Sequence, residues 1–324
     1  MTISCTKCDR AGAPVEEVPP SVGAVSTIED LPPFVYGTTR LGADDVPLQQ
    51  QAAMARAALD RGLWLHTSTQ YGHALQVLGE AIAEHGGQPS TIVKLGGGTA
   101  DDVRTEALAN SGPLGIDTIA LGQLSPVDGL EDALVAGGSA LDGLRRLRTE
   151  GIVGGFVLEI FPWTSAKPLE ALRAGRLDDL VDAFILYINP LQRFASNELW
   201  DELIARGSTL ISMRTVAGSD VRALADVPGA AWLPYLQERA VQVAPIFERS
   251  GVASWVEFCA RWSLVMPGVV STVGSTVRTE HLDAYVAATS GPVEPLPQDV
   301  VEEITALQRR WSDEVDVHAE PWTM

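Results

Sequence analysis

Leu63-Trp-Leu-His-Thr67, then Ala74-Leu-Gln-Val-Leu-Gly-Glu-Ala-Ile-Ala-Glu-His85, then Thr91-Ile-Val-Lys-Leu95: this run decides the fold. Its outer pieces are short, apolar or β-branched, and bounded by glycine and small polar residues, which is how buried strands read. The middle piece carries the longer pattern of a helix. Strand, helix and strand within about 30 residues imply two parallel strands joined by a crossover helix.

The same alternation runs outward in both directions. Candidate strands are Phe34 to Thr38, Leu63 to Thr67, Thr91 to Leu95, Thr118 to Gly122, Ile152 to Leu158, Ala183 to Ile188, Thr209 to Met213 and Val269 to Val273. Helical segments fall between or after them at Leu48 to Arg61, Ala74 to His85, Asp101 to Ala109, Ala140 to Thr149, Pro168 to Ala174 and Glu198 to Arg206. Further ones are Tyr235 to Leu264 in two pieces, His281 to Ala288 and Val300 to Trp311. Eight strand-helix units in about 290 residues predict a (β/α)8 TIM barrel, typically about 250 residues before insertions. A doubly wound sheet is the runner-up, but no GxGxxG follows the first strand. Residues 1–33 hold Pro14, Pro19, Pro20, Pro32 and Pro33 among small and acidic residues, so an extended tail is expected there and a single barrel domain over residues 34–324.

Composition narrows the function. The chain has 324 residues, 46% of them apolar, and a mean hydropathy of +0.10, enough for one large core. Its net charge of −19 would repel nucleic acid, so none is expected as a partner. The longest apolar stretches fall short of the ~20 residues a membrane span needs. No apolar segment follows the basic residues of the N-terminus, so no secretory signal is read and a cytoplasmic location is expected. Cys5 and Cys8 form a CxxC with no second pair, which is a flexible thiol pair and no metal site. The oligomeric state is not legible.

A barrel collects its chemistry at the C-terminal ends of its strands. Strand 2 runs into His66, Thr67, Ser68, Thr69, Gln70, Tyr71, Gly72 and His73; strand 3 carries Lys94; strand 4 ends at Gly122-Gln123. Later strands end at Glu159, Asn189, Arg214 and Gly274-Ser275-Thr276. The chain has three lysines, Lys7, Lys94 and Lys167, against twenty arginines, so a lysine inside an apolar strand is a candidate for function. Buried there, it would lose hydration unless something in the barrel compensates its charge. Paired with Tyr71, its charge is expected to favour the phenolate and bring the phenol toward a pKa useful for proton transfer. His66 and His73 flank the same loop, with roles left open.

In this order the residues resemble the aldo-keto reductase superfamily over about residues 34 to 290. The likeness rests on Gly37-Thr-Thr-Arg-Leu-Gly42, on Ala57 to Leu63 leading through Tyr71-Gly72 to Leu78-Gly-Glu-Ala-Ile82, and on Lys94. Leu144 to Gly151, Tyr187-Ile-Asn-Pro-Leu-Gln-Arg193 and Pro267 to Thr276 complete it. The resemblance implies a (β/α)8 barrel that uses NADPH to reduce carbonyl groups with a catalytic Asp, Tyr, Lys and His. Tyr71 and Lys94 match that set. The Asp falls on His66, and the His falls on Gly122 or, one residue on, Gln123. The pair that meets the nicotinamide amide reads Glu159-Ile160, and the strand 6 Gln lands near Phe184 or Ile185. On strand 8, Ser275, Thr276 and His281, or Arg278 in another alignment, fall at cofactor-phosphate positions. Met213 to Gly218 resembles a cofactor-covering loop with Thr215 in place of proline.

The expectations are therefore a hydride transfer from NADPH to a small-molecule carbonyl, imine or conjugated double bond, with Tyr71 as general acid, Lys94 assisting, and Gln123 and His66 beside them. Asn189, Arg214, Gly274, Ser275, Thr276 and Arg278 are the candidates for holding cofactor; Gly274 to Thr276 is read as opening a helix whose N-H groups attract phosphate. Two alternatives stand. With no carboxylate at position 66 the Lys94 pKa should fall, freeing it for a lyase, dehydratase or isomerase reaction with Tyr71 and His66. The barrel could also be a non-catalytic binding subunit.

Overall fold

The computed structural model describes residues 26–126, 129–218, 220–231 and 233–315. Most of the segment read as a tail, with Cys5 and Cys8, lies outside the described residues. Eight parallel strands form the ring: β1 (Phe34–Gly37), β2 (Trp64–Thr67), β3 (Thr91–Leu95), β4 (Ile119–Leu124), β5 (Val153–Glu159), β6 (Ala183–Asn189), β8 (Leu210–Met213) and β9 (Val269–Ser275). Each pairs with the next, and β9 closes the ring on β1 through Tyr36 opposite Gly274 and Gly37 opposite Ser275. A two-residue strand, β7 (Gln192–Arg193), folds back antiparallel on the end of β6. It has no counterpart in the sequence reading, because two residues carry no periodicity.

Helices α1 (Leu48–Asp60), α2 (Ala74–His85), α3 (Ala100–Leu114), α4 (Leu130–Ala136), α5 (Asp142–Thr149) and α6 (Ala166–Arg173) follow the early strands. They continue as α7 (Asn197–Ala205), α8 (Val221–Asp226), α9 (Pro234–Arg249), α10 (Trp255–Val265), α11 (Thr279–Thr289) and α12 (Gln298–Val315). The short α4 and α8 were not foreseen, and α3 runs past Ala109 to a left-handed glycine cap at Gly115. Among the described residues no helix is long and apolar enough to cross a membrane.

Strand parity explains why the ring has a dry floor and a polar top. Val35, Trp64, Ile92, Leu121, Val157, Ile185, Ile211 and Val273 fill the interior as one apolar cluster, separate from the larger core between strands and helices. Side chains alternate faces along a strand, so the residue two steps on points inward as well. Those residues are Gly37, His66, Lys94, Gln123, Glu159, Tyr187, Met213 and Ser275. One step of the pleat thus turns an apolar layer into a layer of chemistry.

At the other end, residues 26–33, read as tail, lie against the barrel. Ile28 and Leu31 pack on the interior cluster, and the Pro33 carbonyl accepts from the Thr272 N-H at 2.9 Å and its hydroxyl at 3.0 Å. Two apolar side chains thus extend the interior cluster beyond the strands.

Candidate active site

A cavity of about 750 Å3 opens at the C-terminal ends of the strands, with His66, Tyr71, Lys94 and Tyr187 on its inner wall and Arg214 and Gly274 to Thr276 on its rim. Tyr71 gets there by a contact between two loops. A Cβ on Gly42 would lie 1.9 Å from the Tyr71 carbonyl oxygen, and one on Gly72, at φ +54°, would lie 2.3 Å from the Gly42 carbonyl oxygen. The His73 N-H donates to the Gly42 carbonyl at 3.2 Å. Only bare backbone lets the loop after β1 support the loop that carries Tyr71.

Lys94, 7% exposed, extends its ammonium to Oε1 of Glu159 at 3.3 Å and to the Tyr71 hydroxyl. The second oxygen of Glu159, Oε2, accepts from the Ser125 hydroxyl at 2.7 Å, and Glu159 is buried. Burial works to lower the Lys94 pKa, but the Glu159 carboxylate, with Tyr71 and Tyr187 behind it, overrides burial and holds it above the ordinary lysine value. The expectation that Lys94 loses its charge is therefore corrected: a carboxylate compensates it, supplied by β5 and not by position 66. The premise of the lyase, dehydratase or isomerase alternative, a Lys94 with no compensating carboxylate, does not hold here.

The Tyr71 expectation is corrected as well. Burial raises its pKa, and the Lys94 charge and a hydrogen bond from Thr39 oppose that without cancelling it. Near neutrality Tyr71 is a phenol with its proton in place. Burial, reinforced by the Lys94 charge, lowers the His66 pKa to about 4, with the bond to Gln123 and the Glu159 charge opposing. His66 is therefore neutral, with Nε2 2.7 Å from Oε1 of Gln123.

The choice between Gly122 and Gln123 resolves by parity. A Cβ on Gly122 would run into Leu95, Val153 and Phe156 on the outer face, whereas Gln123 points inward beside Lys94 in register. Gln123 is fully buried behind His66, and its amide also reaches the Met213 sulfur at 3.7 Å.

Arg214 sits on the cavity rim in the left-handed conformation, φ +48°, with its guanidinium 5.2 Å above the Tyr187 ring. Asn189 is not on the wall. Its Nδ2 donates to the Arg214 carbonyl at 2.9 Å and its Oδ1 accepts from the Leu191 N-H at 2.9 Å, so it acts through the backbone of Arg214. The Asn189 carbonyl in turn accepts from Gln308 of α12 at 2.7 Å.

Gly274, Ser275 and Thr276 reach the cavity, but not as a helix N-terminus. Ser275 still belongs to β9, paired with Gly37, and α11 starts at Thr279. The Thr276 carbonyl accepts from the Tyr36 hydroxyl at 2.7 Å, which holds the turn away from helical geometry. Arg278 lies off the wall, its side chain 60% exposed beside Glu280. His73 is also off the wall, exposed and 3.3 Å from Asp44. Wall residues that the sequence reading did not assign to the site are Thr39, Arg40, Val256 and Tyr285, whereas Val216 and Gly218 belong to the loop read as covering a cofactor. The Arg40 N-H donates to the Ser275 hydroxyl at 3.2 Å, which ties the loop after β1 to the end of β9.

Residues 33–309 match the sequence model of the Aldo/keto reductase family. The chain belongs to that family. Its members are oxidoreductases, and the closed eight-stranded barrel is their fold. No curated protein matches the chain in sequence. Among solved structures, it is similar to an aldo-keto reductase from Bacillus halodurans in its holo form, at TM-score 0.62 and 17% identity, covering 86% of this chain and 95% of that one. It is also similar to an aldo/keto reductase from Klebsiella pneumoniae in complex with NADP and acetate, at TM-score 0.63 and 15% identity, covering 86% and 92%. Within this reductase barrel, positions 66 and 123 carry His and Gln, and the buried carboxylate beside the lysine comes from Glu159.

Proposed function

We propose that this aldo/keto reductase transfers hydride from NADPH to a small-molecule carbonyl, imine or conjugated double bond, with Tyr71 as general acid and Lys94 as its electrostatic partner. The observation that carries this is the meeting of a protonated phenol and a compensated ammonium on one cavity wall. The wall fits the cofactor. Its volume lies within the ~300–1,000 Å3 of ligand pockets, and its rim groups Arg40, Arg214 and His281 with the hydroxyls of Ser275 and Thr276, donors suited to phosphate. Tyr187, Val273 and Tyr285 offer flat or apolar surface to a ring. The Klebsiella neighbour's NADP is consistent with this reading.

When bound, NADPH supplies the hydride. Tyr71 holds the proton at its Oη until negative charge develops on the acceptor, then releases it there. Lys94 stabilises the phenolate left behind, and because its charge is fixed in advance, little reorganisation accompanies the step. Glu159 and Ser125 hold the ammonium in line. Neutral His66, braced by Gln123, adds a polar wall without a second charge.

Titrating the protein into NADPH tests the cofactor reading: the nicotinamide fluorescence should quench or shift at micromolar protein, and a flat titration to millimolar refutes it. Tyr71→Phe should lower kcat by ~10²- to 10⁴-fold, the usual worth of general-acid help, and leave that titration unchanged. Wild-type turnover in Tyr71→Phe overturns its role as acid.

A further inference from the structure

The structure assigns Glu159 as a positioning residue: the carboxylate that keeps Lys94 charged and aimed at Tyr71, delivered from β5 on the flank of Lys94 opposite β2. This rests on the roles given to Tyr71 and Lys94 above.

Lys94 stands on β3, with His66 on β2 to one side and Gln123 on β4 directly beside it on the other. Glu159, one strand beyond Gln123, reaches past that amide to the ammonium at 3.3 Å. Neither of its oxygens is loose, since Oε1 faces Lys94 and Oε2 is held by Ser125 at 2.7 Å. A carboxylate fixed at both ends sets direction as well as charge. The other groups that face Lys94 cannot do this. His66 from β2 is neutral, Gln123 from β4 has no charge, and Tyr71 from the loop and Tyr187 from β6 are phenols whose pKa values burial raises. Remove the Glu159 charge and burial, the largest influence on Lys94, acts against the ammonium with its main opponent gone. The amine would then lose its proton at a lower pH than in wild type, and the phenolate would lose its stabiliser there.

The scarcity of lysine makes this measurable without turnover. With lysine labelled by 13C at Cε, the protein should give three NMR signals from three lysines, and the Lys94 signal is identified by its loss in Lys94→Arg. In wild type that signal should stay untitrated to about pH 11, and in Glu159→Gln it should titrate at least about one unit lower. Adding His66→Asp to Glu159→Gln returns a carboxylate from the other flank and should move the titration back up. In steady state, Glu159→Gln should lose about tenfold or more in kcat, with the alkaline limb of its pH profile displaced downward and NADPH binding unchanged. Glu159→Asp should retain part of the activity.

A Lys94 signal that titrates identically in wild type and Glu159→Gln overturns the assignment, as does an unchanged alkaline limb. If Glu159→Gln does not fold, the double variant decides: a high Lys94 titration supports the assignment and an ordinary one overturns it. A protein that fails to bind NADPH overturns the proposed reaction but leaves the lysine titration to be read by itself.

Discussion

His66 gives the sharpest stability prediction. Unfolded, its imidazole protonates around the ordinary 6.5; folded, it resists protonation down to about 4. Below the unfolded value the unfolded chain therefore binds a proton that the folded chain refuses, and stability falls with pH. The contribution is complete above 6.5 and is lost progressively as the pH drops toward 4. Integrating between those two values gives a loss of about 2 kcal/mol on going from pH 7 to pH 5 from this one residue. The perturbation is His66→Gln, whose amide nitrogen can still face Oε1 of Gln123 but has no proton to gain. Urea unfolding of both proteins at both pH values supplies the comparison, with free energies taken at a common m-value. All other titrating groups cancel in the difference between the proteins. Wild type should lose about 2 kcal/mol more than the variant over that interval. Equal losses in the two proteins would show that His66 is hydrated and titrates freely, which would refute the account of the barrel top as a desolvated layer.

Gly42→Ala forces a Cβ to within 1.9 Å of the Tyr71 carbonyl and 2.4 Å of the Ala74 nitrogen, both backbone atoms that cannot swing aside. It should cost about 1–3 kcal/mol in urea melts and lower kcat more than NADPH affinity, because the displaced element carries Tyr71, the proposed acid. Arg239 lies between the Tyr235 and Trp311 rings, at 4.6 and 4.7 Å, and donates to the Leu191 carbonyl at 3.0 Å. Arg239→Leu should destabilise the protein by about 3 kcal/mol, with the lost hydrogen-exchange protection concentrated in α12.

The barrel was legible because every ring strand is a short apolar run at the right spacing, but the choice between Gly122 and Gln123 needed the strand parity that the structure shows. Lys94 and Tyr71 could be selected from type and neighbourhood alone. The role of Glu159 could not be selected that way, since its partner lies 65 positions away and only closure of the ring brings them together. One signal was available: Glu159 has the same parity relative to apolar Val157 as Lys94 has to Ile92, so both must point inward. Asn189 and Arg278 show the opposite difficulty. Both end an element near the cavity, yet a two-residue hairpin turns one toward backbone, and the turn before α11 leaves the other at the surface. The helix expected to open at Gly274 was a matter of where a strand stops, which depends on the partner strand Phe34–Gly37 at the far end of the chain.

Closure between β1 and β9 also bears on how the molecule is made. During synthesis the first strand must wait, unpaired on one side, until the ninth has been translated, and β8 waits likewise with a naked edge. Open strand edges are templates for association with other chains, so a nascent copy is most exposed to misassembly late in translation. Gln308, which steadies Asn189 and through it Arg214, arrives later still. The mouth of the cavity thus draws support from α12, which is translated after every strand of the ring.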